Sequence, residues 1–203
     1  MSKIIIGIDP SINSSGICVL KENAGTDYWL ICSHVPFKIK KKLDQKSSNI
    51  FYKKISENTT LYVIEYSKNI EKNNTYSKKE ILKTSNLIQI RNIVKDIILQ
   101  YLSTQVQINI EGIAYGTGSQ SALVDLAGLN FILRSLFIDL DINEIKIFSP
   151  AEVKKYATGN GNSNKNNIIL TWKLFEPSIS QFCEQIQLKM DDLADSFFIA
   201  KIS

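Results

Sequence analysis

Four carboxylates stand out by their settings. Asp9 closes one apolar run, Ile4-Ile5-Ile6-Gly7-Ile8-Asp9-Pro10, and Glu111 closes another, Val106-Gln107-Ile108-Asn109-Ile110-Glu111-Gly112. Asp192 and Asp195 lie three residues apart in Met190-Asp191-Asp192-Leu193-Ala194-Asp195-Ser196-Phe197, so on a helix they share a face. Acids at the ends of buried strands are costly to charge and costly to crowd. A hard divalent cation is the usual compensation, because its preferred ligands are carboxylate oxygens. A pair of such cations can activate water and stabilise the leaving oxygen of a phosphodiester. The four acids together predict a two-metal, phosphodiester-cleaving site.

Other chemistries are poorly supplied. His34 is the single histidine, and Cys18, Cys32 and Cys183 are widely spaced with no C-x-x-C. That argues against a zinc site and against a Cys/His or Ser/His nucleophile. The cysteines fit reduced, partly buried thiols in the cytoplasm. Asp9 breaks the N-terminal apolar run, which is unlike a signal peptide. No continuous run reaches the roughly 18 apolar residues of a membrane span. The expectation is a cytoplasmic protein, or a viral or phage protein acting in its host cell, with no membrane partner.

Composition sets the frame. The 203 residues, 44% hydrophobic and 22% charged, suit one globular domain spanning 1–203. Lysine and arginine total 24 against 20 acids, a net +4, which is too small an excess to identify a polyanion partner. The lysines nevertheless gather at Lys38-Ile39-Lys40-Lys41-Lys42, Lys53-Lys54, Lys78-Lys79 and Lys154-Lys155. A basic rim around an acidic centre suits a nucleic-acid backbone. Each run taken singly also reads as solvated surface.

The elements that must position these groups follow from periodicity and turn chemistry. Residues 3–9, 17–20 and 28–32 read as strands. The turns Asn13-Ser14-Ser15-Gly16 and Asn23-Ala24-Gly25-Thr26-Asp27 join them into an antiparallel meander. Residues 36–83 are lysine-, serine- and asparagine-rich and read poorly, apart from an apolar island at Leu61-Tyr62-Val63-Ile64. Leu87, Ile90, Val94, Ile97 and Tyr101 recur at helical spacing over Thr84–Leu102, with Thr84, Ser85 or Asn86 available as cap. After the Glu111 strand and a Gly116-Thr117-Gly118-Ser119 loop, Ser121–Phe137 carries a Leu126, Leu129, Leu133, Leu136 stripe. Residues 144–148 form a strand, and Ser149-Pro150 reads as N-cap and first helical residue. Lys165–Phe175 and Asp191–Ile202 complete the helices. Trp29, Trp172, Phe197 and Phe198 lie on apolar patterns and belong to the core.

The order and the acids resemble the ribonuclease-H-like nucleases, and within them the RuvC-type Holliday junction resolvases, including phage and poxvirus forms. Gly7-Ile8-Asp9-Pro10-Ser11 with Ser15-Gly16 is similar to the family's first strand and turn. Ile110-Glu111-Gly112 with Ser121-Ala122-Leu123 is similar to the second acidic strand and its helix. Pro150-x-x-Val153-Lys154, Gly159-x-Gly161-x-x-x-Lys165 and Asp192-x-x-Asp195 are similar to the C-terminal part. The resemblance covers nearly the whole chain except residues 36–83.

The resemblance implies an α/β fold, a ribonuclease-H-like mixed five-stranded sheet flanked by helices. The first and fourth strands would lie side by side, bringing Asp9 to Glu111, and a helix across the sheet would add Asp192 and Asp195. All four are then the expected catalytic and metal-binding residues. They would hold two magnesium ions about 4 Å apart, with manganese able to substitute, and the products would be a 5′-phosphate and a 3′-hydroxyl. Asp191 either replaces Asp192 as a ligand or sits beside it; the Asp192–Asp195 spacing matches the family.

The expected DNA contacts are Lys154, Lys155, Lys165 and Tyr115. The 159–165 segment lacks the G-K-[ST] ending of a nucleotide loop. Relatives carry the loop aromatic three residues after the glutamate, where this chain has Ala114, so Tyr115 reads equally as a base-stacking or a packed residue. Branched DNA is the expected partner, and symmetric cleavage implies a C2 homodimer using the helix Ser121–Phe137. The rival readings are a nuclease for flaps, forks or RNA–DNA hybrids, a non-catalytic nucleic-acid-binding module, and an actin-like or sugar-kinase ATPase, for which the chain looks short.

Overall fold

The computed structural model describes residues 3–22, 24–68, 75–102, 105–113 and 120–202. Its strands are β1 (Lys3–Asp9), β2 (Ser14–Lys21), β3 (Gly25–Cys32), β4 (Asp44–Ser47), β5 (Ile50–Lys54), β6 (Thr59–Glu65), β7 (Gln105–Glu111) and β8 (Glu144–Phe148). They form one mixed sheet in the order β4-β5-β6-β3-β2-β1-β7-β8. The expected meander is there: β1 pairs antiparallel with β2, and β2 with β3. β7 lies parallel to β1 and β8 parallel to β7.

The expected five strands are the contiguous set β3-β2-β1-β7-β8. The count of five is corrected to eight, because the 36–83 region adds β6 parallel to β3, then β5 and β4 antiparallel beyond it. β4 is exposed at every position and carries a register shift, so it shows no apolar alternation for a reader to find.

Side chains alternate across the sheet. Ile4, Ile6 and Ile8 of β1, Ile17 and Val19 of β2, and Val106, Ile108 and Ile110 of β7 point to one face. There they pack with Ile90, Val94 and Ile97 of α2 (Tyr76–Leu99) and with Leu129, Leu133, Leu136 and Phe137 of α3 (Gln120–Asp139). The opposite face is covered by α1 (Phe37–Lys40), α4 (Pro150–Thr158), α5 (Lys165–Phe175), α6 (Pro177–Ile186) and α7 (Asp191–Lys201). Trp29, Trp172, Phe197 and Phe198 are buried, as their patterns implied, and the three cysteines are free and buried.

Local signals explain most boundaries. Ser149 caps α4 with a full capping box to Glu152, and Asn164 caps α5 by accepting from the Asn167 amide. The α2 start is corrected. It lies at Tyr76, so Thr84, Ser85 and Asn86 are inside the helix rather than caps. Its first two turns are polar and largely exposed, which hides them from an apolar-periodicity reading. Helix α3 meets the length and composition of a membrane span, the one helix to do so among the described residues. Its interior carries Asp125, Asn130 and Arg134, and its leucine stripe packs on the sheet.

Candidate active site

The acidic centre begins with strand register. Ile8 of β1 pairs with Ile110 of β7, so Asp9 and Glu111 emerge together from the same ends of parallel neighbours. Period-2 alternation puts both on the face opposite α2 and α3, where α7 crosses. Two glycines let α7 come close. A Cβ on Gly7 would lie 2.2 Å from the Ser196 carbonyl oxygen, and one on Gly16 would lie 1.9 Å from that of Asp192. No side chain larger than hydrogen fits either place. Gly16 is also the register partner of Asp9, so the seat of α7 and the first acid are adjacent.

The far end of α7 is held by Asn109, which is fully buried on β7. Its Nδ2 donates to the carbonyls of Ile199 (2.8 Å) and Ile202 (2.9 Å), while its Oδ1 accepts from Gln107 Nε2 at 2.7 Å. Glu111 is fixed through its backbone: its carbonyl accepts from Asn130 Nδ2 of α3 at 2.8 Å. Asn109 and Asn130 were not singled out from sequence. A polar residue inside an apolar strand or helix was the available signal.

The four acids meet electrostatically. Burial pushes Asp9 well above the usual carboxylate range, and Glu111, Asp195 and Asp192 push it further. Burial and the Asp195 charge raise Glu111 to about 7. Burial raises Asp195 to about 6, with Asp192 adding to it against the pull of Lys165. Asp192 is raised by burial and by Asp191, eased by the Ser14 hydroxyl and by Lys189 and Lys165. Such a cluster, with each member disfavouring the ionisation of the next, lacks positive charge.

Asp191 is different. Lys189 Nζ lies 2.7 Å and Lys165 Nζ 3.1 Å from its Oδ2. Burial works against its charge, yet the two ammoniums outweigh burial and hold the carboxyl below its usual range. Lys189 was not anticipated, because its partner becomes visible only when the turn before α7 is folded.

The donor set suits a hard cation. It is all carboxylate oxygen, and Asp192 Oδ2 is buried with no hydrogen-bond partner, as is Asp191 Oδ1. As the side chains stand, no three Asp, Glu, Cys or His groups among the described residues are drawn in around one point as a finished cage.

Among solved structures, the chain is similar to Thermus thermophilus RuvC in complex with Holliday junction substrate, at 14% identity and a TM-score of 0.52, over 97% of this chain and 90% of that one. It is also similar to T. thermophilus RuvC alone (13%, TM-score 0.50, 97% and 90% covered). A third match is the yeast mitochondrial Holliday junction resolvase Ydc2 (12%, TM-score 0.50, 97% and 75% covered). The fold is that of the RuvC-type resolvases. By sequence, no family model and no curated protein matches.

On this RuvC-type frame the expected DNA-contacting lysines separate. Lys165 and Lys154 both act on Glu111 and Asp195, so they border the acids. Lys155, on the same helix as Lys154, is exposed. Tyr115 lies outside the described residues.

Proposed function

We propose that this protein is a structure-selective endodeoxyribonuclease that resolves four-way DNA junctions as a homodimer. Asp9, Glu111, Asp192 and Asp195 would hold its divalent cations, magnesium foremost, with manganese able to substitute. One observation carries the reading: on a RuvC-type fold, β1 and β7 pair in register up to Ile8 and Ile110, just before Asp9 and Glu111, and α7 is seated on Gly16 beside Asp9, so that Glu111, Asp195 and Asp192 all press on the Asp9 carboxyl. When bound, such cations polarise the scissile phosphate and make water a better nucleophile.

The chain's own residues do the rest. The acids release protons as they take up cations, so loading is favoured as pH rises through the raised pKa values. Lys154 and Lys165 stand beside the acids and can orient a phosphate against them without reading sequence. The Lys189–Asp191–Lys165 pairing keeps Asp191 charged and ties up its Oδ2, whereas among the described residues no ammonium is paired with Asp192.

The homodimer is supported by the outer face of α3. Val124, Phe131 and Ile138 are exposed there at seven-residue spacing, the repeat of a helix–helix seam. Ile81 and Ile88 repeat the spacing on the neighbouring α2. A second copy would give the paired active sites that symmetric cleavage needs.

The deciding experiment is magnesium-dependent cleavage of a synthetic four-way junction beside a flap, an RNA–DNA hybrid and a linear duplex. Paired symmetric nicks in the junction are expected. Preferred cleavage of the flap or hybrid would transfer the activity to those substrates, and junction binding without cleavage would make the protein a binding module.

A further inference from the structure

The strand insertion begins with a turn whose construction is unlike ordinary surface. In Val35-Pro36-Phe37-Lys38-Ile39-Lys40-Lys41-Lys42-Leu43, the three residues Val35, Ile39 and Leu43 are buried. Backbone bonds from Ile39 N to Pro36 O, Lys41 N to Phe37 O and Lys42 N to Ile39 O close the turn, and Val35 N donates to Glu65. The segment is thus nailed to the core at four-residue intervals. Phe37 is nevertheless turned outward, 71% exposed, with the Lys41 ammonium 4.6 Å from its ring centre. A large aromatic so presented on a closed turn leaves apolar surface uncovered at a cost.

The charges around it are nearly all of one sign. Lys40 is paired with Glu65. Lys38 donates to the neutral Gln187 side chain, and Lys38, Lys41 and Lys42 are exposed with no acid bonded to them among the described contacts. The turn also borders the acidic centre. Gln187 ends α6, two residues before the Lys189 that pairs with Asp191. Glu65 and Asp192 both act on the Cys32 thiol at the end of β3.

We propose that this turn is a nucleic-acid contact in its own right: Phe37 stacks on an unpaired base of the branched DNA, and Lys38, Lys41 and Lys42 hold the phosphates beside it. An aromatic flanked by exposed lysines that no acid neutralises matches an opened strand, whose bases offer faces and whose backbone offers charge. The inference rests on the junction-resolving reading of the neighbouring acids and gives the inserted region a role in it.

The test uses the full chain carrying Asp9→Asn, so that substrate is bound and not cut. Its binding to a labelled four-way junction and a matched linear duplex is followed by anisotropy across a salt series. Lys38→Ala/Lys41→Ala/Lys42→Ala should weaken junction binding on the order of tenfold and flatten the salt slope by about 3. Phe37→Ala should weaken the junction on the order of tenfold and leave the duplex unchanged. With 2-aminopurine at the branch, the parent should quench its fluorescence, Phe37→Ala should lose the quench and Phe37→Tyr should keep it. Unchanged affinity, slope and quench in these variants, beside a wild-type chain that cuts junctions, would overturn this role of the turn alone. A wild-type chain that neither binds nor cuts the junction would overturn the resolvase reading with it.

Discussion

The two faces of the central sheet are made from the same strands, one residue out of phase, and they do opposite things. On β1 the residues Ile4, Ile6 and Ile8 face α2 and α3, while Gly7 and Asp9 face α7. On β7 the residues Ile108 and Ile110 face α2 and α3, while Gln107, Asn109 and Glu111 face α7. One face is aliphatic and closed. The other carries glycines for close approach, amides that hold a helix, and acids at the strand ends. On β1 and β7 the contrast divides packing from chemistry by pleat parity, while β2, β3 and β6 pack Cys18, Tyr28, Leu30, Leu61 and Val63 on the α7 face as well, so adjacent residues of β1 and β7 should respond differently to substitution.

The largest expected contrast is between residues 8 and 9. Asp9→Asn should reduce magnesium-dependent cleavage by about three orders of magnitude or more, the scale of several kcal/mol of cation stabilisation, with the folded protein intact. Ile8→Ala should instead cost about 2–5 kcal/mol in a denaturant melt, with the remaining folded protein still cutting. If both substitutions acted alike on stability and on rate, the division between the faces would fail.

Next comes the glycine seat. Gly16→Ala forces a methyl into the Asp192 carbonyl, so α7 must lift and carry Asp192 and Asp195 away from Asp9. Cleavage should fall on the order of a hundredfold, because displacements near 1 Å suffice for that. Asn109→Ala should cost about 1–3 kcal/mol by leaving two α7 carbonyls without their donor. Single-turnover rates and thermal melts on both variants separate loss of position from loss of fold.

The acid face should also show its raised pKa values in the metal-free protein. Glu111 near 7 and Asp195 near 6 keep protons in the folded state that the unfolded chain has already released at its ordinary carboxylate pKa. Stability must therefore fall as pH rises from about 4.5 to about 7. Magnesium should restore it at the upper end of that window, and Asp9→Asn should raise metal-free stability at alkaline pH, seen as a higher Tm. A metal-free melting temperature that climbed with pH through the window would contradict these shifts. The smallest effect belongs to α4: Lys154→Ala should flatten the salt dependence of DNA binding by about 1, and exposed Lys155→Ala by less.

The aliphatic face was legible from sequence because its residues alternate without interruption, and β1, β8 and α5 begin and end where their patterns and caps place them. The acids were legible because a carboxylate at the end of an isoleucine run is conspicuous. What could not be read depends on contacts between distant segments. The close approach at Gly7 and Gly16 requires knowing that α7 lies above them. The Lys189–Asp191 pair requires the α6–α7 turn. Helix α6 carries Ile179, Phe182, Cys183 and Ile186 at helical spacing behind Pro177, so its signal is present in the sequence, whereas β4 lacks a buried side entirely and has no hydrophobic period to detect.

The account turns on whether the acids of β1, β7 and α7 serve the same cations. Anomalous diffraction from crystals soaked in manganese measures this most directly. The prediction is density bridging Asp9, Glu111 and the Asp192/Asp195 pair, with Asp191 still bound to its lysines, and loss of that density in Asp9→Asn. Manganese bound elsewhere, or bound in the wild type by Asp191 and Lys-free surface carboxylates alone, would contradict it.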